Sequence, residues 1–488
     1  MSGAGGAGQA VSGAPARLVG APLGRGAGAP GTDHAGRSGD SGIGDLRTED
    51  LAYTAGGLDE AAVAAFRRLA EVDGRVLERE GFALLSLGEA ARIELPHGLR
   101  AEGAAEHAAT LLAAIPPADG AASSAAGGSA AGAGAGPGAG SRPPEAARLV
   151  ALGALPFETS VSGTLVIPEM CVMLRSETPA VVIACGTRQR LGELGSGFPL
   201  RPGAPAPAPR PLQAAPDRFE LASVRSHDEY EQLVALAVAE IAAGHLDKVV
   251  CAREVLVTAN CPFEQAHLLE RLRALYPACC AFALDGFVGA SPELLVRRNG
   301  DDVLSQPLAG TIPRSGDPDE DARLAGRLLA SPKERREHAL VVSAIERALA
   351  GLGGEVTPSA APHLLALRNV THLATTIHAR LRPPLPGVLA VVAALAPTPA
   401  VGGVPTPAAL RFLAAHEHLE RDRYAGTLGF LDASGDGEWW LGLRSALVEG
   451  RRARLIAGSG IVEGSDPHDE LVETQLKLQA LLAAAVRP

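Results

Sequence analysis

The stretch AFALDGFVGASPELLVRRNGDDVLS, residues 281–305, limits the fold more than any other: its three apolar runs are split by Asp285-Gly286 and Asn299-Gly300. Asp-Gly and Asn-Gly pairs tolerate the positive φ angles of tight hairpins, so the stretch predicts an antiparallel meander. Helical patterns sit around it in groups. Ser226 to Glu229 has capping-box spacing, apolar residues follow at helical period through Ile241, and Gly244 suits a C-terminal stop. KVVCAREVLV then reads as a strand, with Lys248, Val250, Ala252 and Leu256 on one face and Val249, Cys251, Arg253 and Val255 on the other. Further helices are expected over residues 319–329, over 332–352 with Ser331 as cap and Pro332 in the first turn, and over 467–486. Strands in meanders with helices grouped between them argue for an α+β class rather than alternating βαβ units.

Three stretches fall outside this patterning. Residues 1–43 are rich in Gly, Ala, Ser and Pro, with too few large apolar side chains to offset ordering entropy, and read as a disordered tail. Residues 118–144 read as a low-complexity insertion, and residues 201–216, containing PGAPAPAPRPLQAAP, as extended and stiff. The division expected is therefore a tail (1–43), an N-terminal part (44–216) of the folded domain with its insertion at 118–144, and a motif-dense core (217–488).

Composition excludes more than it selects. The 488 residues are 47% hydrophobic, enough for a sizeable core, and the net charge of −11 comes without a basic block. A nucleic-acid footprint and an anionic membrane partner are therefore not expected, and a monomer is. The six cysteines, at 171, 185, 251, 261, 279 and 280, lack CxxC spacing, which argues against a zinc site and for a reducing cytoplasm. The most apolar stretch, residues 385–404, is interrupted by Pro397 and Pro399, and the N-terminus lacks a signal-peptide pattern.

Lys248 and Glu293 are one candidate base and one candidate acid. On an exposed strand each would be an ordinary surface residue. In a closed site burial favours the neutral amine, which can accept a proton, and the protonated carboxyl, which can donate one. Two carboxylate pairs, Glu334/Glu337 and Glu470/Glu473, are each spaced to share a helix face. Glu334 and Glu337 would also suit the N-terminal helix dipole, and Glu470, Glu473 and Lys477 a solvated stripe, so structural and magnesium-binding roles both stand. LAGTIPR (308–314), PTPAVGGVP (397–405) and AGSGIVEGSDP (457–467) read as loops whose backbone can approach an anion. Arg444 and Lys477 could pair with substrate carboxylates. Neither a phosphate-loop pattern nor a GxGxxG opens a helix after a strand, so nucleotide cofactors are unsupported.

Taken in order, KVVCARE, FVGASPELL, PLAGTIPR, SPKERREHA, NVTHL, PTPAVGGVP, RYAGTLGF, GDGEWWLGLRSA and GSGIVEGSDPHDELVETQLKL form a set. This set resembles the isochorismate synthases of the chorismate-utilising enzyme family, densely over residues 217–488 and more weakly in ALGALPFE and around Pro168. The resemblance implies two large antiparallel β-sheets packed as a sandwich, helices outside, and a deep cleft for chorismate and Mg²⁺. It implies that Lys248 activates water, that Glu293 protonates the departing C4 hydroxyl, and that Glu337 and Glu473 hold magnesium with Glu334 and Glu470 close by. Tyr424, Arg444, Lys477, Gly458 and Gly460 would hold substrate carboxylates, and Gly310, Thr311 and His372 would line the cleft near the ring. The implied reaction is water addition at C2 with loss of the C4 hydroxyl.

Relatives diverge at a few positions. Ammonia-using relatives lack a lysine at position 248, and aminodeoxychorismate synthases carry one where this chain has Ala309, so water is the expected nucleophile and no glutaminase partner is implied. Salicylate-forming relatives often have threonine at the place of Ala400, which favours stopping at isochorismate over pyruvate elimination. A noncatalytic chorismate-binding protein is the third reading. Arg423 and Thr427 depart from frequent family residues, and the 118–144 insertion has no family role. The CAREV and GDGEW wording is closer to menaquinone-pathway relatives than to catechol-siderophore ones.

Overall fold

The computed structural model describes residues 16–20, 47–118, 148–176, 178–191, 209–357 and 361–486. Among these residues a 10-stranded and a 12-stranded sheet dominate, with a small 3-stranded sheet beside them. Neighbouring strands run antiparallel throughout the regions that shape the site. The two large sheets face each other across Leu77, Phe82, Leu84, Phe282 and Phe287 from one side and Leu152, Leu294, Leu428, Phe430 and Trp440 from the other. Helices cover the outer faces: Glu60–Asp73, Gln265–Leu275 and Pro467–Val486 bury Phe66, Leu269 and Leu481 against the 12-stranded sheet. The expected α+β sandwich with external helices is the architecture found.

Position 217 marks no break in packing. Val150–Leu155 pairs with Thr427–Asp432 in one sheet, and Arg75–Arg79 pairs with Cys280–Leu284 in the other, so early and late segments build the same two layers. Most of the expected tail and insertion lies outside the described residues, but Arg17–Gly20 corrects the tail reading. It is a strand paired with Ala91–Leu95, and Leu18 and Val19 are buried. Leu18 and Val19 are isolated among glycine and alanine in the sequence, and only the pairing with Ala91–Leu95 gives them a surface to bury against.

The expected helices occur as His227–Ala242, Pro318–Ala330, Pro332–Gly351 and Pro467–Val486. The capping box is present, with Ser226 N–H donating to Glu229 at 2.8 Å and Glu229 N–H donating to Ser226 at 3.2 Å. Two expectations change. The Lys248–Ala259 strand is buried on both faces over its first residues, because it lies inside the 12-stranded sheet and not on a half-exposed surface. The meander's middle run is also two strands, Phe287–Ser291 in the 12-stranded sheet and Leu294–Asn299 in the 10-stranded one. Proline at 292 has no N–H to give a ladder, and the chain changes sheets there. No described helix is long and apolar enough to cross a membrane.

Candidate active site

Lys248 opens its strand at a position completely shielded from solvent. The neighbouring strand Arg452–Ile461 places Gly460 opposite Val250, and that glycine has no side chain for a reason. A Cβ there would lie 2.1 Å from Glu337 Oε1 and 3.0 Å from Lys248 Cε. The space is taken by an ion pair: Lys248 Nζ sits 2.8 Å from Glu337 Oε1. Burial pushes the Glu337 carboxyl up, but Lys248 and the more distant Lys477 and Lys333 outweigh it, and the net shift is below the ordinary carboxylate value. The amine thus has a charged neighbour that reasoning from burial alone omitted.

Glu293 occupies the crossing between the sheets, directly after Pro292, and is 3% exposed. Burial raises its carboxyl to about 8, against the opposing pull of the Leu308 backbone N–H and of Lys248, Lys477 and Arg444. At neutral pH it holds its proton, as a general acid must.

A third group lies along the small sheet. Thr311 and His372 are register partners on Leu308–Pro313 and Val370–Ala374. His372 Nδ1 is 3.3 Å from the Gly310 carbonyl and 3.2 Å from Thr311 Oγ1, while Nε2 is 3.0 Å from Arg444 Nη2. A guanidinium can only donate, so Nε2 accepts and the ring proton sits on Nδ1. Burial, then Arg444, push His372 well below its usual value, keeping it neutral. Arg444 adopts φ of 49°, sparsely populated for a residue with a Cβ, which turns its side chain towards the cleft.

Four glutamates flank this floor, each leaning on a lysine or a backbone amide. Lys333 donates to Glu470 at 2.7 Å and stands 3.7 Å from Glu334, and Lys477 is 2.6 Å from Glu473. Glu334 also accepts from Thr311 N–H at 3.0 Å. Burial and then Glu337 raise Glu334 to about 7, and burial and then Glu473 raise Glu470. Carboxylates near enough to raise one another form an all-oxygen donor set of the kind a hard dication accepts, so these residues fit magnesium by chemistry. Among the described residues no three His, Cys, Asp or Glu are gathered into a ready coordination cluster.

Glu293, Gly310, Thr311, Glu337, His372, Tyr424, Arg444, Gly458, Gly460 and Lys477 line a single cleft of ≈ 560 Å³, open mouth included. Lys248 reaches it from beneath through Glu337 and Gly460. Glu334, Glu470 and Glu473 stand outside its lining, joined to it by Thr311, Lys333 and Lys477. Two segments expected to be loops lie partly or wholly in strands: 308–313 form Leu308–Pro313, and 457–461 end the strand Arg452–Ile461 while 462–466 turn as expected, because glycine here serves close packing as well as turning. Sequence reasoning missed Leu443, Val401 and Pro292 in the lining and Lys333 beside the glutamates. Lys333 sits in a recognised motif, SPKERREHA, and its spacing to Glu334 and Glu337 was the available signal.

Fold and site together define a cationic, carboxylate-flanked cleft suited to a small anionic substrate. The family model described as chorismate binding enzyme matches residues 200–486. The chain belongs to the chorismate-binding enzyme family, and the resemblance read in its sequence is borne out. It is 38% identical over 283 residues to isochorismate synthase DhbC of Bacillus subtilis, covering 56% of this chain and 71% of that protein. It is 43% identical over 267 residues to the salicylate biosynthesis isochorismate synthase of Pseudomonas aeruginosa, covering 54% and 56%. The solved structure of MenF, the menaquinone-specific isochorismate synthase of Escherichia coli, superposes with a TM-score of 0.68 at 26% identity, covering 90% of this chain and 95% of that one.

Proposed function

We propose that this enzyme converts chorismate to isochorismate. What supports the reading is that Glu293, its carboxyl raised by burial, lines the cleft, while the fully buried Lys248 adjoins that cleft through Glu337 and Gly460 and is near enough for its charge to act on Glu293. Lys248 takes a proton from water attacking C2, the ring double bonds shift, and Glu293 gives its proton to the C4 hydroxyl as that group leaves as water. One water enters and one departs, so the conversion is an isomerisation. Arg444 and Lys477, which line the cleft, offer cations to substrate carboxylates.

Lys248 can act as a base only as the free amine, so its pairing with Glu337 has to relax during the cycle. Glu337 and Glu473, with Glu334 and Glu470 nearby, would hold Mg²⁺. Bound there, the ion would supply positive charge that neutralises a substrate carboxylate.

Ala309 and Ala400 support the choice of water as nucleophile and of isochorismate as end product, since Ala309, with no amine to offer, and Ala400, with no hydroxyl, both line the cleft. A monomer in a reducing cytoplasm without a glutaminase subunit completes the reading; all six thiols are free, and Cys171 and Cys251 are fully buried, with burial pushing both above their usual values. Chromatography of chorismate incubated with the protein, with and without magnesium, tests the proposal. Isochorismate formed only with magnesium supports it, and unchanged chorismate in both refutes it.

A further inference from the structure

Outside the reacting groups, one buried side chain ties together separate parts of the cleft wall. Arg421 is 2% exposed, and its guanidinium hydrogen-bonds to backbone carbonyls and a carboxylate inside the protein. Its Nη2 donates to the Val250 carbonyl at 2.6 Å and to Glu417 Oε1 at 2.7 Å, its Nη1 to the Val401 carbonyl at 2.8 Å, and its Nε to Glu417 Oε2 at 2.7 Å. Glu417 in turn accepts the Ala252 N–H at 2.7 Å. The guanidinium also stacks on Phe157, 4.5 Å from the ring centre.

The partners matter because of where they lie. Val250 and Val401 both line the cleft, and Val250 is two residues from Lys248 on the same strand. The Arg421 carbonyl accepts the N–H of Tyr424, a third lining residue. That turn is strained, with Asp422 at φ 49° and Ala425 at φ 60°, neither of them glycine, and it persists only where the surroundings fix it. One planar fork thus reaches two backbone carbonyls on separate elements while its own backbone anchors the turn.

We infer that Arg421, locked by Glu417, is a positioning residue that sets the spacing of three cleft walls carrying Val250, Val401 and Tyr424. It touches no substrate and moves no proton. The inference rests on the proposed chorismate reaction for its functional consequence and on geometry alone for its structural one. A lysine at 421 keeps the charge but delivers its donors from one point, so it cannot span both carbonyls and both carboxylate oxygens.

The test compares Arg421→Lys with Arg298→Lys, a matched change at another buried arginine, which pairs with Asp436 at 2.5 Å away from this cleft. Chorismate turnover is measured well below the melting temperature of each variant, and backbone hydrogen exchange is followed over residues 400–402 and 421–425. For Arg421→Lys, kcat/KM is expected to fall on the order of 10²-fold, the scale of an ångström misplacement, with faster exchange in both segments. Arg298→Lys is expected to leave both unchanged. Wild-type kcat/KM and exchange in Arg421→Lys would overturn the inference, as would an equal loss in Arg298→Lys. If the wild type fails to turn over chorismate, the function reading falls, and exchange alone decides the positioning role.

Discussion

Lys248 Nζ and Glu337 Oε1 lie 2.8 Å apart in a space that exists because residue 460 is glycine. The pair joins the candidate base to the candidate metal site, and neither half is interpretable alone. Removing one partner of a buried ion pair leaves an uncompensated charge, which costs about 3–5 kcal/mol.

Lys248→Ala is therefore expected to lower both stability and turnover, the latter by roughly 10²–10⁴-fold as for loss of a general base. Adding Glu337→Gln removes the stranded charge and is expected to restore much of the melting temperature without restoring activity. Thermal melts and product chromatography on the single and double variants separate the two effects. Recovery of turnover in the double variant would contradict the assignment of Lys248.

Glu293 predicts two pH effects of defined sign. Its folded value of about 8 lies above the ordinary 4.5, so the stability it contributes is fully present below about pH 4.5 and is lost as pH rises through 8. Glu293→Gln is expected to flatten that loss, making the variant more stable than wild type near pH 9. The kcat/KM profile of the wild type is expected to fall on an alkaline limb near pH 8, and the variant to lose roughly 10²–10⁴-fold in rate. A wild-type profile flat through that limb would count against Glu293 as the acid.

Gly460→Ala places a methyl group 2.1 Å from Glu337 Oε1 and is expected to displace the ion pair. Overpacking of this kind costs about 1–3 kcal/mol, and kcat/KM should drop on the order of 10²-fold. Gly326→Ala, in the Pro318–Ala330 helix with nothing within 4 Å of the added atom, is expected to leave turnover intact and stabilise by about 1 kcal/mol. Kinetics and melts on both variants check the contrast.

Chelation is expected to abolish turnover, and added Mg²⁺ to restore it and raise the melting temperature, since an ion bound only by the folded state stabilises it. Glu473→Gln is expected to weaken both responses. Full activity after exhaustive chelation would remove the metal from the account.

Much of this was legible in the chain because local chemistry matched global structure. Asp285-Gly286 and Asn299-Gly300 turn as their types dictate, with Gly286 at φ 78° and Gly300 at φ 63°. Lys248 and Glu293 were legible as a pair through the order of the motifs around them. Arg421 and Glu417 were not: a charged pair at i,i+4 reads as a solvated helix surface, and only tertiary packing shows it to be enclosed. The sheet change at Pro292 likewise depends on which layers the two strands join, and that is a long-range property.

The most direct measurement is mass spectrometry of the product formed from chorismate in oxygen-18 water with magnesium. If Lys248 activates solvent for attack at C2 while Glu293 expels the C4 hydroxyl, wild-type protein yields isochorismate carrying one heavy oxygen. Isochorismate without the label, or chorismate left unconverted, would contradict it.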